Sequence, residues 1–136
     1  MTREAALRLL FAIWLVMALT AAALLTAQTI ADKYGDDDGL AWNWLLAQLA
    51  PTLSLLLAAV FSDPSTRWKH GVANPFRVRS ALALSLLQGA AIAAIMFVEP
   101  LVGLSPFDLF DKTGIILALL QGAVVAAVGS VVFDGR

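Results

Sequence analysis

Residues 113–133 read TGIILALLQGAVVAAVGSVVF and contain no charged side chain. The stretch is 21 residues long, and a helix needs about 20 apolar residues to cross the hydrocarbon core of a bilayer. Three further charge-free stretches, at residues 9–31, 40–62 and 80–98, have 23, 23 and 19 residues. They predict four transmembrane helices, because a helix satisfies its own backbone hydrogen bonds in lipid.

The composition of the whole chain indicates the same class of protein. Of its 136 residues, 60% are hydrophobic and 14% are charged, whereas soluble domains have about 45–50% apolar and about 25% charged residues. So small a domain cannot bury that much apolar surface in a water-soluble core. A net charge of −1 argues against a nucleic-acid partner. The absence of cysteine and the single histidine argue against metal centres and cofactors.

We therefore expect an all-α integral membrane protein, with residues 1–136 forming a single transmembrane domain. The charge-free stretches and the Pro and Gly signals at their ends predict an antiparallel bundle of helices at about residues 5–33, 40–62, 75–98 and 112–133. Asn74 and Pro75 predict the start of the third helix. A capping box at residues 105–108 predicts a short separate helix before the fourth.

The loops alternate in their content of basic residues. Lys and Arg number 2, 1, 4, 1 and 1 from the N-terminal segment through the three loops to the C-terminal segment. Since basic loops stay in the cytoplasm, this count predicts that both termini and the central loop are cytoplasmic. The acidic loops, one of which contains Asp36, Asp37 and Asp38, are then outside. The Ala-rich chain with short loops suggests a multi-pass protein of a bacterial inner membrane.

Three glutamines, Gln48, Gln88 and Gln121, each lie near the middle of a predicted span. An amide in hydrocarbon is costly unless it finds a hydrogen-bond partner. In one interpretation the glutamines join neighbouring helices. In the other they line a wet pathway in an oligomer, and the sequence leaves both open.

Small residues recur at four-residue spacing in the predicted helices, so that they lie on one face of each. Such faces let membrane helices approach closely. We expect them to pack helices within one bundle or between copies of the chain. The candidate packing residues are Gly89, Ala93, Gly114, Ala118, Gly122, Ala126 and Ser130.

Pro51 lies in the middle of the second predicted span. Its ring removes a hydrogen bond to the carbonyl of Ala47 and should bend the helix. Pro51 is therefore a candidate hinge, with a static kink as the alternative.

The largest predicted cytoplasmic surface is the loop at residues 62–79. Its basic side chains suggest contact with anionic lipid headgroups or docking of a cytoplasmic or membrane partner protein. The candidate residues are Arg67, Lys69, His70, Arg77 and Arg79.

No Asp, Glu, Lys, Arg or His lies inside the four charge-free stretches. Proton-coupled transporters and intramembrane hydrolases need such groups, so we expect no enzymatic activity. Two hypotheses remain. The chain is either a self-associating ion channel, pore or membrane-disrupting effector, such as a defence effector, or a structural and anchoring subunit of a larger membrane complex that conducts nothing.

Overall fold

The computed structural model of the chain describes residues 1–61, 72–98 and 105–133. Four long helices account for nearly all of this part of the chain, and each is long and apolar enough to span a membrane. This confirms the prediction of an all-helical protein with four helices of membrane-spanning length. Their bounds are Arg3–Ile30 (α1), Asp38–Phe61 (α2), Pro75–Val98 (α3) and Pro106–Val132 (α4).

The connection between α1 and α2 begins three residues earlier than predicted. Asp32 adopts a left-handed backbone conformation with φ of 56°. The amides of Asp32 and Lys33 then donate to the carbonyls of Thr29 and Gln28, at 2.9 and 3.1 Å. This pattern ends a helix by satisfying its last carbonyls, and glycine is its usual left-handed residue. The sequence signal was misplaced because Gly35 marks the next turn, a short 3-10 helix at Gly35–Asp37.

The starts of α3 and α4 follow the predicted caps. The Asn74 side-chain oxygen accepts from the amide of Phe76 at 3.0 Å, and the Ser105 hydroxyl accepts from the amide of Asp108 at 3.2 Å. The fourth helix nevertheless begins at Pro106 rather than near residue 112. The predicted short helix is the first part of α4, because nothing between Ser105 and the apolar span breaks the helix.

The four helices pack around one core, in which α1 contacts α2, α2 contacts α4, and α4 contacts α3. The contact between α1 and α3 is much sparser than these three. In lipid, apolar side chains gain little by leaving their surroundings, so close packing and hydrogen bonds must hold these helices together. The core is built from Leu10, Leu25, Leu45, Leu56, Val124 and Val128, among others.

Different contacts tie the helices at the two ends of the bundle. At one end, Thr2 pairs with Val72 in an isolated antiparallel bridge, which places the start of α1 beside the segment that leads into α3. At the other end, an aromatic cluster connects the turn after α1 with the first turns of α2 and α4. The cluster consists of Tyr34, Trp44, Phe107 and Phe110.

Candidate functional site

Six buried side chains with polar groups form a layer across the middle of the bundle, which we call the polar layer. None of the six is more than 6% exposed. Three side-chain hydrogen bonds connect the layer, and each one joins two different helices. The members are Trp14 from α1, Gln48 and Thr52 from α2, Ser85 and Gln88 from α3, and Gln121 from α4.

The Gln88–Gln48 pair links α3 to α2. The side-chain nitrogen of Gln88 donates to the side-chain oxygen of Gln48 at 3.1 Å, and Gln88 is completely buried. Pairing of this kind between membrane helices is worth about 0.6 to 1.7 kcal/mol. The side-chain oxygen of Gln88 is buried and has no hydrogen-bond partner among the described residues.

A second amide contact links α4 to α2. The side-chain nitrogen of Gln121 donates to the hydroxyl of Thr52 at 2.9 Å. Thr52 follows Gln48 by one helical turn, so both side chains lie on the same face of α2. The side-chain oxygen of Gln121 is also buried, and no donor reaches it from the part of the chain that the structure describes. Two buried amide oxygens of the polar layer therefore lack a donor among the described residues.

The third contact was missed by the sequence analysis. The indole nitrogen of Trp14 donates to the hydroxyl of Ser85 at 2.9 Å, and both residues are completely buried. A signal was present, because Trp14 is a lone indole donor in the middle of an apolar span and such a donor needs an acceptor. Which acceptor it meets depends on the packing of α1 against α3.

Amides, hydroxyls and one indole make up the polar layer, and these groups do not ionise near neutral pH. The layer can accept and donate hydrogen bonds but supplies neither a general acid nor a general base. Across residues 1–61, 72–98 and 105–133, no group of three His, Asp or Glu side chains is placed to hold a metal ion. What the layer provides is three hydrogen bonds that each join two helices of the chain.

The candidate packing residues of α3 lie partly inside the protomer. Gly89 is half-buried, and a side chain added there would collide with the thioether end of Met17 on α1. The absence of a side chain at Gly89 thus lets Met17 lie against the backbone of α3. Ala93, one turn further along, is exposed.

Three of the five candidate packing residues of α4 face outward. Ala118, Gly122 and Ala126 are exposed. A side chain added at Gly114 or Gly122 would meet no atom within 4 Å. We call the surface formed by Gly114, Ala118, Gly122 and Ala126 the α4 face. Ala118, Gly122 and Ala126 lie on the outside of the bundle, whereas Gly114 is half-buried beside the start of α2.

The candidate hinge, Pro51, lies on the outside of α2. The helix is continuous through it, from Asp38 to Phe61, and the proline is exposed. Its neighbour Thr52 is completely buried and belongs to the polar layer. The proline therefore lies outside the polar layer, although it is next to Thr52 in the sequence.

Two basic candidates of the central loop lie at the start of α3. A guanidinium nitrogen of Arg77 donates to the backbone carbonyl of Ser130 at 3.4 Å, which ties the start of α3 to the end of α4. The Ser130 hydroxyl donates to the carbonyl of Ala127 in its own helix at 2.7 Å. Arg79 is exposed. The candidates outside the described residues are Arg67, Lys69 and His70.

The aromatic cluster joins the start of α4 to α2 and to the turn after α1. Trp44 and Phe110 stack with ring centres 4.4 Å apart, and the Tyr34 hydroxyl donates to the side-chain oxygen of Gln28 at 2.6 Å. The sequence analysis did not anticipate that these rings would touch. They hold the first turn of α4 against the start of α2.

No protein-family model, no curated protein and no solved structure matches the chain significantly.

Proposed function

We propose that this chain is a non-enzymatic assembly subunit of a membrane, whose α4 face binds other transmembrane helices, first of all those of another copy. The observation that carries the proposal is that two sets of residues lie on different sides of the helices. The glutamines bond inside the protomer, while the small residues of α4 face outward.

The internal pairing of the glutamines favours a structural subunit over a pore. A pore lined by Gln48, Gln88 and Gln121 needs their amides to face a shared axis outside the protomer. All three are at most 6% exposed, and their nitrogen or oxygen atoms bond to neighbouring helices of the same chain. A pore or membrane-disrupting effector would therefore require a different polar face, and it ranks second.

The α4 face favours helix association. Residues pointing into lipid gain nothing from being small, whereas small residues let two helix backbones approach closely. Ala118, Gly122 and Ala126 continue this strip over more than two turns, and the positions of Gly114 and Gly122 are open. Large side chains flank the strip, since Ile115 and Leu119 are 74% and 73% exposed.

The proposal includes an orientation. Antiparallel helices with cytoplasmic termini in a bacterial inner membrane agree with the counts of Lys and Arg. They also agree with the end contacts, since Thr2 meets Val72 at one end while Tyr34 meets Phe107 at the other.

Self-association is tested by energy transfer between donor-labelled and acceptor-labelled chains in liposomes. The chain has no cysteine, so a single cysteine at the exposed Asp37 carries the dye. Ala118→Leu and Gly122→Leu should each weaken association at least tenfold, because a larger side chain separates the helices. Ala123→Leu is the matched control, since Ala123 is exposed on α4 but lies off the face.

The same liposomes are used for planar-bilayer recording, in which we expect silence. Unitary currents that disappear with Gln88→Leu would overturn the structural subunit in favour of the pore. Equal association of the Ala118→Leu and Ala123→Leu variants would remove the α4 face from the proposal.

A further inference from the structure

The seam between α1 and α3 opens into a groove over one half of the bundle. Where α1 and α3 meet closely, Trp14 bonds to Ser85 and Met17 lies against Gly89. A cavity follows this contact toward the C-terminal ends of the two helices. The resulting space, which we call the α1–α3 groove, has a volume of about 210 Å³ and is lined by side chains from residues 16–24 of α1, Leu49 of α2 and residues 89–97 of α3.

The groove has a closed floor and an open side. Leu49, Ile92 and Met96 form the floor, and each is at most 5% exposed. The walls carry exposed side chains, including Thr20 on α1 and Ala93 on α3. Because the walls belong to membrane-spanning helices, the open side faces the hydrocarbon of the bilayer and not water.

The chemistry of the lining excludes polar occupants. Thr20 contributes the only hydroxyl among the lining side chains, and none of them is charged. An ion would lack ligands there, and water leaves apolar cavities empty when it finds fewer than two polar partners. An empty groove would cost its walls the dispersion contacts that a close-fitting apolar occupant supplies.

The size of the groove limits how deeply a second helix can enter it. The groove follows about eight residues of each wall, which corresponds to about 12 Å of helix. A helix about 10 Å wide over that length occupies about 900 Å³, whereas all the empty space of the groove, including its open mouth, is about 640 Å³. A helix of another copy can therefore lie across the mouth of the groove, but its backbone cannot reach the floor.

A single unbranched hydrocarbon chain satisfies each of these conditions, and the bilayer supplies it as the acyl chain of a phospholipid. We propose that the α1–α3 groove binds one phospholipid acyl chain, in the leaflet on the side of the aromatic cluster. Small side chains at Ala21 and Ala93 leave the room for it. This site is separate from the α4 face, so either proposal can fail without the other.

The test is native mass spectrometry of the full chain released from nanodiscs of a single phosphatidylglycerol. We expect the wild-type protein to retain one phospholipid at collision energies that strip loosely bound lipid. Ala93→Phe should reduce the retained fraction at least tenfold, because the ring occupies the groove. The matched control is Ala94→Phe, since Ala94 is exposed on the same helix but does not line the groove.

A second pair of variants tests the opposite wall of the groove. The test then does not depend on the correct folding of Ala93→Phe alone. Thr20→Phe should release the lipid, whereas Leu19→Phe, at an exposed position outside the lining, should keep it. Circular dichroism establishes the helical content of all four variants. A wild-type protein that emerges without lipid, equal retention in folded Ala93→Phe and Ala94→Phe proteins, or a bound mass that matches a free fatty acid would each overturn the proposal.

Discussion

Gln88 is the most demanding residue of the polar layer, since it alone of the three glutamines is completely buried. Its nitrogen has a partner in Gln48, but its oxygen has none among the described residues. The amide therefore both stabilises the bundle and carries a desolvation cost. For this reason the contribution of Gln88 has to be measured as a coupling between two residues and not as the effect of one deletion.

We predict that Gln48→Leu and Gln88→Leu are each destabilising and that the double variant is less destabilised than their sum. The expected coupling free energy is about 0.6 to 1.7 kcal/mol, because each single variant leaves the other amide without its partner. The measurement is reversible unfolding in mixed micelles.

The control pairs Gln48→Leu with Ser85→Ala. Ser85 bonds to Trp14 and not to Gln48, so this second cycle should show a smaller coupling. Strictly additive effects of Gln48→Leu and Gln88→Leu would contradict the hydrogen bond between their amides.

At this scale the sequence was informative about position and silent about partners. Gln48, Gln88 and Gln121 were recognised as costly groups in the middle of spans. Whether they faced inward or outward could not be decided, because a polar residue in an Ala- and Leu-rich helix breaks the apolar pattern equally on any face. Trp14 and Ser85 were not connected, since 71 positions separate them in the chain.

Among the elements, α4 depends on a contact that the sequence did not reveal. Its first turn is capped by Ser105 and held by Phe110, which stacks on Trp44 and lies near Tyr34. Phe110 is 6% exposed. The cap is a local signal and was predicted, whereas the stack requires α2 and α4 to be neighbours.

We predict that Phe110→Ala destabilises the protein by about 2 to 4 kcal/mol, because it removes a buried ring together with its stacking partner. The measurement is again unfolding in micelles. Phe76→Ala is the matched control, since Phe76 is 77% exposed in the first turn of α3 and should change stability by less than about 1 kcal/mol. Equal losses for the two variants would show that the stack of Phe110 on Trp44 does not contribute to stability.

Helix ends also show where local signals are sufficient. Asn74 and Ser105 started α3 and α4 as expected, because a cap involves residues only two or three positions apart. The end of α1 and the length of α4 were misjudged. An aspartate replaced the usual glycine at the left-handed position in the first case, and charged residues within a capped helix resembled a boundary in the second.

For the molecule as a whole, the orientation in the membrane is the property with the most direct test. The proposed topology places Asp37 outside and Asn74 in the cytoplasm, and both residues are exposed. In a chain without cysteine, Asp37→Cys should react with a membrane-impermeant maleimide on intact cells. Asn74→Cys should react only after permeabilisation.

The two cysteine variants act as controls for each other, because both should react with the maleimide once detergent has dissolved the membrane. The reverse pattern of labelling would invert the orientation. Labelling of both positions on intact cells would contradict a bundle with Asp37 and Asn74 on opposite sides.

Membrane residence, the number of spans and the chemistry available inside them follow from one-dimensional properties. Length, hydropathy and the positions of charges are counted along the chain, and lipid constrains each helix separately. Which side chains contact each other depends on which helix faces meet, and that depends on the packing of all four helices together. Tertiary structure therefore turned the glutamines inward, left the small residues of α4 outward and opened the groove between α1 and α3.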